Sequence, residues 1–215
     1  MDLTSSDPAG QFAWIKSQLK AARAAGELVY VAGHVPPGNM STTENFHRVF
    51  NKPFLAAFEG YHDIIVASFW GHLHIDWWAF IGELGAAGKY HPAFLVSTLA
   101  SRTNSDPTVR LFEYDEASFK VMDFTTFYMN LTDANLKNKI TWRKLYKATE
   151  DFGISDVSAE NMYSEYKKMS ADKKEFNRVY GRRKAIMSSC STSCRKKALC
   201  SMGYTDVTAY EKCIA

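Results

Sequence analysis

Two apolar runs in this chain end in the same way, and that ending constrains the fold more than any other feature. Leu28 to Ala32 and Ile64 to Trp70 are short, β-prone and uncharged, the pattern of buried strands. The first breaks at Gly33-His34-Val35-Pro36-Pro37-Gly38 and the second at Gly71-His72-Leu73-His74, where Gly and Pro forbid continuation. A helix is predicted before the first run, with Asp7 as N-cap, Pro8 at the first helical position, one face of Phe12, Ile15, Leu19 and Ala22, and Gly26 as the stop. A second helix is predicted from Thr43 to Glu59, with Pro53 as a break or kink.

Further strands are expected over Ile75 to Ile81, Ala93 to Ser97, Thr108 to Tyr114 and Phe119 to Thr126. From Asn130 the pattern turns helical: Trp142, Leu145, Tyr146 and Thr149 share a face, and helices follow over Ala159–Lys168 and Asp172–Met187. The fold class is therefore α/β in the broad sense (α+β), with a subdomain boundary near residue 130 separating 1–130 from 131–215. At 215 residues and 46% hydrophobic side chains, the chain buries a core without a staple. Ile64 to Trp70 is far short of the ~20 residues of a spanning helix, and Met1 to Asp7 is neither basic nor apolar, so no signal peptide is read there. Residues 1–130 carry nine Lys/Arg against thirteen Asp/Glu, and 131–215 seventeen against ten. These later cations are interspersed with acids in helix-like sequence and read as solvated surface; with no recognition motif, nucleic-acid binding is not expected.

The cysteines point to a compartment. Cys190, Cys194, Cys200 and Cys213 all fall in the last 26 residues, with no Cys-x-x-Cys pair and no nearby His, which favours local disulfides over zinc and an oxidising location. Sequons at Asn39-Met40-Ser41 and Asn130-Leu131-Thr132 agree, marking Asn39 and Asn130 as glycosylation candidates.

Three of the six histidines, His34, His72 and His74, lie in Gly-His loops at strand ends, where ligands gather in open α/β sheets and where glycine lets the backbone bend toward a metal. They are the candidate metal ligands. Asp76, two residues on, is a candidate carboxylate for orienting an imidazole. His47, His62 and His91 read as surface or hydrogen-bonded residues, and Trp77, Trp78 and Phe80 as core in preference to a lipid-contact patch.

These residues resemble a known family, the acid sphingomyelinases and acid sphingomyelinase-like phosphodiesterases, within the calcineurin-like metallophosphoesterases. The resemblance rests on Asp7-Pro8-Ala9-Gly10-Gln11, Gly33-His34-Val35-Pro36-Pro37-Gly38, Phe69-Trp70-Gly71-His72-Leu73-His74-Ile75-Asp76, Asn130-Leu131-Thr132-Asp133-Ala134-Asn135 and the spacing of the four cysteines. It implies the C-terminal half of a metallophosphoesterase β-sandwich flanked by helices, followed by a helical, disulfide-bearing subdomain. It further implies a two-zinc phosphodiesterase with His34 and His72 on one zinc and His74 on the other, and disulfides pairing Cys190 with Cys194 and Cys200 with Cys213. Such an enzyme is extracellular or lysosomal and cuts sphingomyelin or nucleotide-type phosphodiesters.

The departures are specific. The family's Asp-x-His, Gly-Asp and Asn-His motifs, which supply the bridging carboxylate and the remaining ligands, are absent from the 215 residues. Leu73 replaces a small polar residue, and Asp106-Pro107-Thr108-Val109-Arg110 stands where the family commonly has Asn-Pro-Gly-Tyr-Arg. The expectation is a truncated phosphodiesterase that holds at most one zinc and is inactive alone, acting on a phosphodiester or sphingolipid only when completed by the missing half. The alternative is a non-catalytic secreted or lysosomal glycoprotein that binds metal or lipid headgroups. Unpartnered strand edges and apolar faces, including Ile64–Trp70 and Trp77–Trp78, predict self-association of the isolated chain.

Overall fold

A computed structural model describes residues 7, 9–40, 45–96, 98–101, 105–186 and 188–215. The first helix, α1 (Gln11–Ala25), starts later than Asp7-Pro8 suggests: Gly10 in a left-handed conformation is its N-cap, and Asp7 reaches in from farther back, its Oδ2 accepting the Ala13 N–H at 3.0 Å. Pro8 lies outside the described residues. Gly26 stops α1 as expected, and Phe12, Leu19 and Ala22 are buried.

Then come β1 (Val29–Gly33), α2 (Arg48–Ala56), β2 (Ile65–Trp70), β3 (Trp77–Gly82) and β4 (Tyr90–Leu95). The four strands form one sheet in the order β1-β2-β4-β3, with β1, β2 and β4 parallel and β3 antiparallel. The expectation for β1 needs correction. It is an edge strand, only partly buried, with Tyr30 43% exposed, because it pairs on one side only among the described residues. Pro53 sits inside α2 and does not end it. Thr43 and Ser97, predicted ends of elements, lie outside the described residues.

The second sheet is β5 (Thr108–Tyr114), β6 (Val121–Met129) and, after α3 (Leu131–Lys137), β7 (Trp142–Lys147), all antiparallel in the order β5-β6-β7. β7 overturns the helical reading of 142–149. The spacing of Trp142, Leu145 and Tyr146 is short enough to suit either period, and pairing of Thr126 with Tyr146 and Thr125 with Lys147 across the sheet decides for strand. This sheet therefore draws strands from both sides of residue 130.

The sheets meet through aromatic side chains. Phe112 lies 4.9 Å from Phe69 and 5.6 Å from Phe94, ring centre to ring centre, and Phe124 lies 5.6 Å from both Phe94 and Phe112. The rest is helical: α4 (Ala148–Phe152), α5 (Ala159–Ala171), α6 (Lys173–Gly181), α7 (Thr192–Gly203) and α8 (Val207–Ile214). This is the α+β fold that the sequence implies, and it carries disulfides Cys190–Cys194 and Cys200–Cys213, paired as the resemblance has them. The last predicted helical stretch, Asp172–Met187, ends earlier than expected, since α6 stops at Gly181; Met187 itself lies outside the described residues. Among the described residues, no helix is long and apolar enough to cross a membrane.

Helices cover the faces expected to be bare. Trp77 packs against Tyr180 at 5.7 Å and Trp78 against Phe152 at 5.3 Å, and both tryptophans, like Phe80, are at most 2% exposed. These three are core. One stretch of apolar surface is open along the β1 edge, where Trp14 and Tyr30 flank a groove that Ile15, Phe46 and Phe54 also line.

Candidate metal centre

Strand pairing builds the candidate site. Gly33 at the end of β1 is in register with Trp70 at the end of β2, so the loops that follow leave the sheet side by side. The Gly71 N–H donates to the His34 carbonyl at 3.0 Å, tying one loop to the other. Two glycines make this approach feasible. A Cβ on Gly33 would run into the six-membered ring of Trp70, and one on Gly71 would stand 3.3 Å from His34 Nδ1. Trp70 cannot easily step aside, since its Nε1–H donates to Ser68 Oγ at 3.0 Å. Gly33→Ala is expected to lower the unfolding free energy by about 1–3 kcal/mol through overpacking. Urea titration checks this, and a loss below the error of the fit counts against the packing described.

The result is a pair of imidazoles. The rings of His34 and His72 lie 5.3 Å apart at 78°, and both residues are exposed. Two imidazoles on one tetrahedral zinc, with Zn–N of about 2.0–2.1 Å, have ring centres about 5 Å apart, so this pair fits a shared ion. His72 and His74 both have left-handed backbones, with φ of 67° and 55°, a conformation that costs a non-glycine residue about 1 kcal/mol or more. His74 is half-buried and its Nδ1 is buried with no hydrogen-bond partner, an open donor or ligand position. The three do not converge: among the described residues, no group of three or more His, Cys, Asp or Glu is placed to hold one metal ion. The structure thus joins His34 with His72 and leaves His74 out of a common ligand set.

Asp76 does not orient an imidazole. Its carboxylate is buried in an ion pair with Arg110, accepts the Tyr146 O–H at 2.8 Å and the Thr126 O–H at 3.2 Å, and so links the first sheet's loop to β5, β6 and β7. Arg110 also donates from Nε to Thr126 Oγ1 at 3.1 Å and from Nη2 to the Tyr146 hydroxyl at 3.2 Å, and it lies 4.1 Å from the Phe124 ring centre. Burial works against the Arg110 charge, but Asp76 and Tyr146 outweigh it and raise the guanidinium above its usual value. Burial and then the Asp76 charge push the Tyr146 phenol up, so it stays a donor.

The remaining histidines lie elsewhere. His47 is the exposed N-cap residue of α2. His62 and His91 share an Nδ1–Nδ1 hydrogen bond of 2.9 Å, and burial pulls both below the usual histidine range, leaving a neutral pair. Of the sequon asparagines, Asn130 caps α3, its Oδ1 accepting the Asp133 N–H at 2.7 Å; Asn39 is 5% exposed, and its Ser41 lies outside the described residues. Reasoning from sequence missed Arg110, Tyr146 and Arg183, the last of which meets the histidine loop through its backbone. The only hint at Arg110 was its place in the altered Asp106-to-Arg110 turn.

Known proteins place the chain. The model of the acid sphingomyelin phosphodiesterase C-terminal region matches residues 89–215. Human acid sphingomyelinase-like phosphodiesterase 3b is 32% identical over 97% of this chain and 49% of its own length. Human cyclic GMP-AMP phosphodiesterase SMPDL3A is 31% identical over 100% and 50%, and sphingomyelinase phosphodiesterase C of Dictyostelium discoideum 32% identical over 99% and 51%. The chain spans about half the length of these relatives, and their similarity extends over His34, His72 and His74 as well as the region the family model covers. A family model that matches more than half of the chain, two disulfides in its terminal segment and a two-sheet core with helices together make this chain a member of the acid sphingomyelinase-like phosphodiesterase family, corresponding to its C-terminal half.

Proposed function

We propose that this chain contributes the histidine half of a zinc-dependent phosphodiesterase centre and hydrolyses no phosphodiester by itself. The observation that carries the reading is the His34–His72 pair, two exposed imidazoles at zinc-sharing separation on the ends of adjacent parallel strands. In this reading His34 and His72 hold one zinc and His74, with its unpartnered Nδ1, belongs to a second. Zinc supplies Lewis acidity toward a phosphoryl oxygen and makes bound water acidic near neutral pH. The histidines present their ring nitrogens, and the bond from the Gly71 N–H to the His34 carbonyl keeps the two loops together. Among the described residues, no carboxylate joins this pair in a group that could hold a metal, so a bridging group or proton acceptor is to be supplied from elsewhere.

Completion from outside the 215 residues accounts for that gap. The half-exposed β1 edge and its apolar groove sit on the same loops and offer a surface for the rest of a domain twice as long. The same edge favours self-association when nothing covers it. An extracellular or lysosomal site fits the two disulfides, and Asn130 is the better glycan acceptor because its cap uses only Oδ1.

Dialysis against zinc followed by metal analysis tests the reading. At most one ion per chain is expected, lost in His34→Ala and in His72→Gly. Glycine also relieves the left-handed backbone at position 72, so His72→Gly is expected to leave stability unchanged or raise it by up to about 1 kcal/mol while abolishing zinc uptake. Zinc uptake that survives both substitutions, or chelator-sensitive hydrolysis of bis(p-nitrophenyl) phosphate by the chain alone, overturns the proposal. A chain that binds one zinc and gains no activity when the other half is supplied supports the second reading, a metal-binding glycoprotein without turnover.

A further inference from the structure

The segment after α6 crosses the histidine loop. The Asp76 N–H donates to the Arg183 carbonyl at 2.7 Å, and the Asp106 N–H donates to the Lys184 carbonyl at 3.0 Å. Beside this crossing is a cavity of about 180 Å³ whose walls include Leu73, Trp77, Tyr180, Arg183, Lys184 and Ser201. That is room for far more than one water. Among the described residues no carboxylate lines it, and two of its wall residues are cations.

Arg183 is the unusual member. Its guanidinium carbon lies 3.4 Å from the Tyr180 ring centre, a stacking contact that fixes the planar group, yet Nη1 is buried with no hydrogen-bond partner. The other three arginines of the helical layer each meet an acid or a carbonyl: Arg178 and Arg182 share Asp151, and Arg195 donates to the Met169 and Ser170 carbonyls. Burial without a carboxylate pulls the Arg183 guanidinium down to about 10, so it is still charged at neutral pH. A half-buried cation with an empty donor and no acid beside it is costly unless an anion completes it.

We propose that this cavity is an anion site in which a phosphoryl group, or a tetrahedral oxyanion of the same chemistry, is held by Arg183. Leu73, in its wall, stands between His72 and His74, so the anion sits next to the candidate metal centre. If the phosphodiesterase reading holds, on which this step alone depends, the preferred substrates are phosphodiesters carrying a second anionic group, and a cationic headgroup is disfavoured. Anion binding itself requires no metal.

The test uses the 215-residue chain in excess chelator, titrated with inorganic phosphate against chloride at equal ionic strength and followed by calorimetry and thermal unfolding. Saturable binding with a rise in Tm is expected for phosphate only. Arg183→Gln should weaken it by about tenfold or more, Arg183→Lys less, and Lys197→Gln, on the exposed face of α7, should leave it unchanged. Circular dichroism confirms that each variant folds, and Arg183→Lys serves as the readout if Arg183→Gln does not. Equal behaviour of phosphate and chloride, or wild-type phosphate binding by whichever position-183 variant is read, overturns the proposal. Because chelator is present throughout, that failure leaves the histidine reading standing, and loss of zinc binding leaves the anion site standing.

Discussion

Replacing Arg110 with methionine is expected to lower the unfolding free energy by about 3–5 kcal/mol, the largest effect of any single substitution considered for this chain. The guanidinium side chain is 0% exposed and that of Asp76 4%, so removing one partner leaves the other charge in the interior with no water to solvate it. The loss spreads, because Thr126 and Tyr146 each hydrogen bond to both members of the pair and Phe124 lies against the guanidinium. Combining Arg110→Met with Asp76→Asn removes both charges and should recover most of the loss, since an apolar or neutral pair of similar shape is often as stable as a buried ion pair. Urea denaturation of the two single variants and the double variant measures the coupling. A loss under about 1 kcal/mol in Arg110→Met, or strict additivity in the double variant, is incompatible with this picture.

The second large effect is a dependence of stability on pH. Glu165 on α5 is buried, and burial first and Glu175 second raise its carboxyl to about 8. Glu175 on α6 moves the other way, to about 2, chiefly because Arg178 donates to it. In the unfolded chain both titrate near ~4.3. The folded state therefore holds the Glu165 proton more tightly, so the stability linked to Glu165 is fully present below the unfolded value and is lost as pH rises through about 8. Stability linked to Glu175 is present above the unfolded value and is lost as pH falls toward 2. The helical layer is accordingly most stable in mildly acid solution and weakens by about 2–4 kcal/mol between pH 5 and 8. Glu165→Gln, neutral at every pH, should flatten that slope. A wild-type profile that is level from pH 5 to 8, or a Glu165→Gln profile as steep as wild type, refutes the assignment.

How much of this is written in the linear sequence varies by element. β2 and the loops at His34 and His72 were legible because uncharged apolar runs stop abruptly at glycine and proline, a local signal. The disulfide pairing was legible through resemblance, since spacing alone leaves three connectivities open. β7 was not, because residues 142–147 satisfy a helical period as well and become a strand only through β6, whose paired residues lie 13 to 22 positions earlier. Asp76 illustrates the same limit for sites. Its proximity to His74 in sequence suggested an imidazole partner, whereas its carboxylate is claimed by Arg110 and Tyr146, 34 and 70 residues away. The exposure of β1 depends on what lies beside it, and its own composition, Val29-Tyr30-Val31-Ala32, is that of a buried strand.

The left-handed backbone at His72 and His74 has an evolutionary corollary. A benefit from the imidazoles accounts for histidine at two sites, either side of Leu73, that glycine or asparagine would fill with less strain. In any lineage where ion binding ceased to matter, these two positions should drift early, and toward those two residue types in particular, while Gly33 and Trp70 beside them stay fixed by packing. Retention of both histidines alongside turnover elsewhere in the loop is then a signature of continuing selection on the chemistry, readable from sequences without any assay.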